Sequence, residues 1–210
     1  VLHDRIKPLK PTLHLGALDS IPKQIVLQLV KQAFKASSCQ ITLSEGKLDE
    51  LLRELSSHRM DILVTNFLPT GLDARGLYHK SITKKNVAFY ASPKFKSLRK
   101  GFPKSISGQP MIFPTYDSKF RQDLDHWAQL HDIELNIIVE SQDISVKKLM
   151  AISGLGLIPT ATHTVTGSVL SGELTEIGQL QGVHEELYLV TADRKIKNSI
   201  AAQIMNTFSV

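Results

Sequence analysis

The sequence predicts an α/β protein with two Rossmann-like lobes, two crossover strands that join them, and a ligand cleft between the lobes. Three observations support this fold class. A β-α-β-α-β pattern occupies residues 12–66, a second one occupies residues 110–158, and extended segments lie between and after them. Because parallel strands joined through helices form right-handed crossovers, each half is expected to be a doubly wound unit.

The first half alternates strands with helices. Residues 61–65, DILVT, are almost continuously apolar, which is typical of a parallel strand buried on both faces. Four leucines between residues 48 and 55 recur at helical spacing and predict an amphipathic helix. The predicted strands are 12–18, 40–44 and 61–65, and the predicted helices are 22–35, with Ser20 as N-cap, and 48–55, after a turn at Glu45–Gly46.

The second half repeats this order after a basic loop at residues 94–104. Gly154 follows its second helix, and a glycine in that place is typical of a helix end. The predicted strands are 77–82 and 86–92, which form the extended crossings, then 110–113, 134–140, 155–158, 174–177 and 186–191. The predicted helices are 118–130, 143–153, 162–170 and 198–208.

The composition is that of a globular protein without a membrane span. Of 210 residues, 42% are hydrophobic and 21% are charged, and no apolar run approaches the ~20 residues of a transmembrane helix. The single cysteine, Cys39, excludes a disulfide framework, and the first residues lack the apolar stretch of a secretory signal. A cytoplasmic location and no membrane association are therefore expected.

The net charge of +5 comes from lysines and arginines that are scattered along the chain. A protein that binds nucleic acid usually gathers such residues on one face or along one helix. We therefore expect no direct DNA binding by these residues, and a basic surface that suits a partner domain lying on DNA.

The sequence also lacks the common catalytic and nucleotide-binding motifs. It contains no phosphate-binding glycine motif, no HExxH zinc motif and no GxSxG nucleophile motif. Gly154-Leu-Gly156 is too short for a dinucleotide fingerprint, and Cys39 falls in or beside a predicted strand rather than at a helix N-terminus. These absences predict a binding protein with neither catalytic residues nor a cofactor.

Polar side chains gather at the predicted strand-to-helix junctions. In open α/β sheets, ligands bind beyond the carboxyl ends of the strands, so the junctions of two facing lobes are expected to line one cleft. The candidate ligand-binding residues at these junctions are Asp19, Ser20, Glu45, Thr65, Asn66, Tyr116, Ser118, Pro159 and Thr160.

The junctions leave the charge of the ligand open. Asp117–Ser118 begins the first helix of the second half, as Asp19–Ser20 does in the first half. Two helix N-termini facing one cleft favour an anion, whereas two carboxylates beside them favour a cation. Asp19 also suits a purely structural role, because an acidic residue near a helix start is stabilised by the helix dipole.

Three strings resemble the effector-binding domain of LysR-type transcriptional regulators. They are TLHLGALDSIPKQIV, SEGKLDELLRELSSHRMDILVTN and SVKKLMAISGLGLIPTA, and the resemblance covers nearly the whole chain. It implies a fold like that of type II periplasmic binding proteins, and no catalysis. It also implies that DNA binding belongs to a winged helix-turn-helix outside this sequence. The lobes would then be residues 9–85 plus 192–210 and residues 86–191, with residues 1–8 as a hinge after a linker helix.

Within this family, the second string and FPTYDSKFRQDLDHWAQLHDI resemble activators that respond to sodium or lithium ions and control a sodium/proton antiporter gene. This resemblance implies a Na⁺ site, for which Asp19 and Glu45 are the candidate ligands. Two alternatives stay open. One is a sensor of a small organic anion within the same family, and the other is a solute-binding protein of the same clamp fold.

The family also pairs two such domains antiparallel, in a parent protein expected to be a tetramer. The apolar residues of the helix predicted at 22–35 cover an arc of about 200° at ~100° per residue, which is wider than one sheet-facing stripe requires. The candidate residues of the dimer interface are Ile25, Leu27, Val30 and Phe34 in that helix and Phe120, Leu124 and Trp127 in the second half.

Overall fold

Two long antiparallel strands run through both lobes of the protein. The computed structural model describes residues 10–70, 75–195 and 197–210. In chain order the elements are β1 (Thr12–Leu18), α1 (Lys23–Ala36), β2 (Gln40–Gly46), α2 (Leu48–Ser56), β3 (Ile62–Thr65), β4 (Leu77–Ala91), β5 (Pro110–Phe113), α3 (Lys119–Leu130), β6 (Asn136–Glu140), α4 (Ile144–Ile152), β7 (Ile158–Ala161), α5 (Thr162–Leu170), β8 (Thr175–Ala192) and α6 (Ser199–Thr207). The predicted α/β class with a central sheet is confirmed.

The long strands β4 and β8 connect the sheets of the two lobes. Among the described residues, one sheet has the strand order β2-β1-β3-β8-β4-β7, and β5 and β6 form a second sheet. In the first lobe β1 is parallel to β2 and β3, and β3 pairs antiparallel with β8. In the second lobe β7 pairs antiparallel with β4, and a parallel bridge from Met111 to Leu157 links β5 to the start of β7.

Each lobe has its own hydrophobic core. In the first lobe, Leu13 and Leu15 of β1 pack with Leu29 of α1, and all three are fully buried. In the second lobe, Phe89 and Tyr90 are successive residues of β4, so their side chains point to opposite faces of the sheet and enter two separate clusters. This burial on both faces explains why the second half of β4 is so apolar.

Each crossing is one continuous strand, whereas the sequence predicted two short pieces for each. Residues 77–82 and 86–91 belong to β4, and residues 175–177 and 186–191 belong to β8, so Ser92 and Leu174 of the predicted pieces lie just outside these strands. The polar residues between the predicted pieces of β4 are paired across the ladder, with Lys85 opposite Glu185. Because such residues find partners on the neighbouring strand, the polar stretch does not end the backbone pairing.

Several other boundaries differ from the prediction. Glu45 and Gly46 do not form a turn, because they continue β2 opposite Ala17 and Leu18 of β1. Ser20 is not the N-cap of α1, since Pro22 holds that position and no side chain caps the helix. The strand predicted at 155–158 is β7 at Ile158–Ala161, because its ladder with β4 begins only at Ile158.

Other predicted boundaries are confirmed as they stand. The strands at 12–18 and 110–113 and the helix at 162–170 have the predicted bounds.

The basic segment at 94–104 contains two short 3-10 helices, Pro93–Arg99 and Lys104–Ile106, rather than only loop. The hinge predicted at residues 1–8 lies outside the described residues, and the lobe boundaries stay a prediction.

We expect Gly156→Ala to destabilise the link between β5 and β7. A Cβ atom at Gly156 would lie 2.6 Å from the carbonyl oxygen of Pro110, which accepts a hydrogen bond from the Leu157 N–H at 2.9 Å. Forcing an extra methyl group into such a contact costs roughly 1–3 kcal/mol. Urea denaturation of the two proteins measures this loss.

Gly167→Ala is the matched control, because Gly167 lies inside α5 and a Cβ atom there would meet no atom within 4 Å. Alanine is the better helix former, so this control should stabilise the protein by up to about 1 kcal/mol. Equal effects of the two substitutions would contradict the close approach at Gly156.

Candidate functional site

A cleft of about 450 Å³ opens between the two lobes. Small-molecule sites in proteins have volumes of roughly 300–1,000 Å³, so the cleft has the size of such a site. Both lobes contribute to its walls. From the first lobe it is lined by Leu18, Ser20, Lys47, Leu48, Asp49, Asn66 and Phe67, and from the rest of the chain by Pro114, Asp117, Ser118, Lys119, Phe120, Gln122, Gln142, Ile144, Lys147 and Glu185.

The carboxyl ends of the parallel strands supply much of this lining. In the first lobe, Ser20 follows β1 and Asn66 follows β3. In the second lobe, β5 leads into the loop that carries Ser118, and β6 leads into Gln142. The cleft therefore lies where open α/β sheets generally bind ligands.

Arg121 holds the loop between β5 and α3 in place. Its guanidinium donates to the carbonyl oxygen of Pro114 at 3.1 Å and to the carboxylates of Asp125 and Glu140. Burial acts to lower the pKa of Arg121, but the hydrogen bonds to these two carboxylates raise it above its ordinary value. Ser118 accepts a hydrogen bond from the Arg121 N–H at 3.1 Å and so caps α3. The buried Arg121 thus holds the loop before α3, and Ser118 with it, at the cleft.

Asp117 is an exposed carboxylate at the rim of the cleft. It accepts hydrogen bonds from the Thr115 hydroxyl at 2.6 Å and from the Gln142 amide at 3.3 Å. The bond from Thr115 is the main reason that the pKa of Asp117 lies below its ordinary value, and Lys47 of the first lobe lowers it further. The two lobes therefore bring opposite charges to the rim.

Lys147 and Glu185 are buried charged residues in the wall of the same cleft. Lys147 of α4 is 4% exposed and Glu185 of β8 is 7% exposed. Within the described part of the chain, neither side chain has an ion-pair partner within 4.0 Å, and Glu185 Oε2 has no hydrogen-bond partner. Charged side chains are rarely buried without partners, because their desolvation is costly.

Burial changes the proton affinities of both groups. It lowers the pKa of Lys147 to about 8, although Glu185 and Asp143 act in the opposite direction. It raises the pKa of Glu185 to about 7, and the positive charge of Lys147 opposes this rise. Both groups therefore titrate close to neutral pH, and each charge moderates the desolvation cost of the other.

The structure brings three of the predicted ligand-binding residues to the cleft. Ser20, Asn66 and Ser118 line it. Asp19 is half-buried and lies outside the lining, and Glu45 accepts a hydrogen bond from Lys23 at 2.7 Å. Asp19 and Glu45, the predicted Na⁺ ligands, are therefore not brought together in the cleft.

The other predicted residues also lie outside the lining. Thr65 is buried, and its hydroxyl donates to the Phe67 carbonyl oxygen at 2.7 Å. Tyr116 is exposed on the loop before α3. Pro159 and Thr160 do not follow the strand, as the sequence predicted, but form part of β7 opposite Phe89 and Ala88 of β4. Their position inside the ladder explains why Thr160 is buried away from the cleft.

Sequence reasoning missed Lys147 and Glu185. Ile144, Lys147 and Ala151 are the buried residues of α4, and their spacing places them on one face of the helix. A lysine in the apolar stripe of a helix was therefore the signal in the sequence. Glu185 gave no comparable signal, because its burial depends on where β8 crosses between the lobes.

The predicted dimer residues divide into core and surface. Ile25, Leu124 and Trp127 are buried in the cores of their own lobes, so they present no side-chain surface to a partner. Val30 and Phe120 pack partly against these cores. Leu27 and Phe34 lie on the outer side of α1 and are 44% and 55% exposed.

The described residues contain no group of three or more His, Cys, Asp or Glu side chains that could hold a metal ion. Within the same residues, no helix is long and apolar enough to cross a membrane.

A family model identifies the chain. The LysR substrate binding domain matches residues 7–207. The chain belongs to this family. The resemblance of the three sequence strings is thereby confirmed, and the LysR family is one of transcriptional regulators.

Two curated relatives are transcriptional activator proteins named NhaR, from Escherichia coli (strain K12) and Shigella flexneri. Each is 21% identical over 194 residues, which cover 92% of this chain and 64% of the relative. This LysR domain therefore spans a little under two thirds of the length of these relatives. The similarity to NhaR activators that the strings around α2 and α3 indicated is confirmed at this level of identity.

Solved structures of low sequence identity share the fold. The bromide-bound regulatory domain of HypT from Salmonella typhimurium superposes with a TM-score of 0.74 at 12% identity, covering 94% of this chain and 93% of that one. The CcmR regulatory domain from Synechocystis PCC6803, in complex with 2-PG, gives 0.73 at 13% identity, with 94% and 95% covered. The reduced regulatory domain of OxyR2 from Vibrio vulnificus gives 0.74 at 16% identity, with 95% of each chain covered.

We expect Glu185→Gln to change how stability depends on pH. The pKa of Glu185 rises from 4.5 to about 7 on folding, so the folded protein holds this proton more tightly than the unfolded chain. The stability that this group contributes is present below pH 4.5 and is lost as the pH rises to about 7. The variant lacks this loss. The difference between the free energy of unfolding of the variant and that of the wild type should therefore increase by on the order of 3 kcal/mol as the pH rises from 4.5 to about 7.

Urea denaturation at a series of pH values measures the difference. Glu186→Gln is the control, because hydrogen bonds from Ser81 and Tyr188 lower the pKa of Glu186. That variant should instead lose stability relative to the wild type as the pH rises through the acidic range. Parallel pH profiles for Glu185→Gln and the wild type would show that Glu185 is not desolvated.

Proposed function

We propose that this chain is the effector-sensing domain of a LysR-type transcriptional activator, and that a small effector binds in the cleft. The observation that carries the proposal is that both lobes line one cleft of small-molecule size. Ser20 and Asn66 come from the first lobe, and Ser118 and Lys147 from the second. A ligand that touches both walls interacts differently with different lobe arrangements.

The mechanism is a shift between lobe arrangements or dimer packings. An effector changes such an equilibrium only by the difference in its affinity for the two states. The favoured arrangement would reposition a winged helix-turn-helix of the parent protein, which binds DNA in the cytoplasm. This domain itself performs no catalysis and uses no cofactor.

The effector that suits the cleft best is a small organic molecule with a negatively charged group. Lys147 is buried in the wall without an ion-pair partner among the described residues, and an anionic group would supply one. Ser20, Asn66, Ser118 and Gln142 add neutral hydrogen-bonding groups around it.

A response to sodium or lithium ions, with control of a sodium/proton antiporter gene, is the second candidate. The similarity to the two NhaR activators favours it. Because Glu45 is paired with Lys23 and Asp19 lies outside the lining, an ion in the cleft would take its oxygen ligands from Asp49, Asp117 and Asn66.

The two candidates predict different changes of the melting temperature. The domain is heated with sodium, lithium, potassium or choline chloride at equal ionic strength, and separately with a panel of small anions, cations, zwitterions and neutral metabolites. Equal ionic strength removes general screening. An effector at about 100 times its Kd adds about 2.7 kcal/mol of stability and so raises the melting temperature. If the main proposal is correct, the four salts should change the melting temperature equally, and one class of organic molecule should raise it.

Asn66→Trp and Gln129→Trp provide the matched pair of variants. Asn66 lines the cleft, whereas Gln129 is an exposed residue of α3 outside it. The indole at position 66 should abolish the rise, and the indole at position 129 should leave it intact. A rise with sodium and lithium alone would favour the second candidate. A rise that Asn66→Trp does not change would contradict binding in the cleft.

We also propose that the domain forms an antiparallel homodimer through the outer face of α1, in a parent protein that is a tetramer. Leu27 and Phe34 are seven residues apart on that face, and both are strongly exposed for apolar side chains. Apolar residues clustered on one face of a helix mark an interaction surface.

Phe34→Glu should dissociate the dimer, because a carboxylate in an apolar contact stays desolvated and unpaired. Sedimentation velocity at several concentrations measures the association. Gln181→Glu adds the same charge at an exposed position outside α1 and should leave the dimer intact. A wild-type domain that is monomeric at all concentrations, or a Phe34→Glu variant that dimerises like it, would contradict this interface.

A further inference from the structure

Two buried charges of opposite sign face the same cleft without touching each other. Lys147 and Glu185 both line it, and both are more than nine-tenths buried. Glu185 Oε2 has no hydrogen-bond partner among the described residues, and the two side chains lie farther apart than the 4.0 Å limit of an ion pair. Each charge therefore lies in the wall of the cleft without an ion-pair partner among the described residues.

The arrangement is expensive for the folded protein. A buried ion pair in good geometry already contributes little to stability, and apolar residues in its place are often more stabilising. Separated charges gain even less from each other, because Coulomb attraction falls with distance. Stability therefore does not account for a lysine on the apolar stripe of α4 and a glutamate on the buried side of β8.

The chemistry of the two side chains determines what could lie between them. The Lys147 ammonium has three donors and no acceptor, so its partner must accept hydrogen bonds and should be negative. The ionised Glu185 carboxylate only accepts, so its partner must donate and should be positive. The N–H groups at the start of α4 do not compete for the anion, since Asp143 already accepts from Ser145 and Val146.

We infer that the cleft binds a small zwitterion of the amino-acid type, whose carboxylate contacts Lys147 and whose ammonium group contacts Glu185. This inference rests on the proposed function, because it names the chemical class of the effector. A bare monovalent cation would meet the ammonium of Lys147, and a simple anion would leave Glu185 without a donor. The polar groups of Ser20, Asn66 and Gln142 remain for the side chain of the ligand.

The test uses the proteinogenic L-amino acids as probes, with isothermal titration calorimetry on the domain. Each amino acid that binds is compared with its analogue without the amino group and its analogue without the carboxylate. For alanine these are propionate and ethylamine. Hydrogen bonds to charged groups contribute about 1.5–3 kcal/mol, so each analogue should bind about ten- to a hundredfold more weakly than the amino acid.

The variants assign each end of the ligand to its residue. The Lys147→Met variant should bind the amino acid and the corresponding amine with equal affinity, because the contact with the carboxylate is lost. The Glu185→Gln variant should bind the amino acid and the corresponding carboxylic acid with equal affinity. Lys147→Gln replaces Lys147→Met if the latter does not fold. Lys148→Met is the control, since Lys148 is the next residue of α4 and does not line the cleft.

The outcomes separate this inference from the function on which it rests. The inference is supported if an amino acid binds to the wild type, if Lys147→Met binds the amine as tightly as the amino acid, and if Glu185→Gln binds the carboxylic acid as tightly as the amino acid. If no amino acid binds, or if the variants discriminate as the wild type does, the inference fails. In that case the proposed function still stands if another ligand class raises the melting temperature and Asn66→Trp abolishes the rise. If no ligand class does so, both fail.

Discussion

The antiparallel pairing of β4 with β8 is the constraint on which the rest of the structure depends. In the first lobe β3 joins the sheet through β8, and in the second lobe β7 joins it through β4. The ladder runs from Leu77 opposite Ala192 to Ala91 opposite Thr175. A slip of one residue would move the side chains of the slipped strand to the opposite faces of the sheet and break the packing of both lobes. The register therefore fixes which residues of β4 and β8 lie in each lobe.

This ladder is least regular where it passes from one lobe to the other. Asn86 lies opposite His184, but Ala88 lies opposite Gln179, so residues 180–183 leave the pairing. Gly182 within this segment has a φ of 82°, which a glycine adopts without strain. A bulge of this kind bends and twists a strand locally. The lobes are thus linked by paired backbone that contains an irregularity at the crossing, close to Glu185.

Local periodicity explains what could be predicted from the sequence. The strands β1 and β5 and the helix α5 follow from short apolar patterns that neighbouring residues decide, and the strand-to-helix junctions placed Ser20, Asn66 and Ser118 at the cleft. Long-range contacts explain the rest. The polar stretch of β4 pairs with β8, and Glu45 pairs with Lys23 on the surface instead of facing the cleft. The burial of Glu185 is likewise decided by the crossing of two distant segments.

The position of the buried charges also explains how a ligand could select one lobe arrangement. Glu185 lies on the crossover strand, Lys147 lies in the second lobe, and Ser20 and Asn66 complete the cleft from the first lobe. In the proposed mechanism, bringing the lobes closer together would remove the remaining water from both charges, and this desolvation would oppose closure. A ligand with the opposite charges would remove much of that cost in the closed state, whereas water would solvate the same groups in a more open state. The ligand would therefore bind the closed state more tightly than the open state, and this difference in affinity is what a ligand-dependent shift requires.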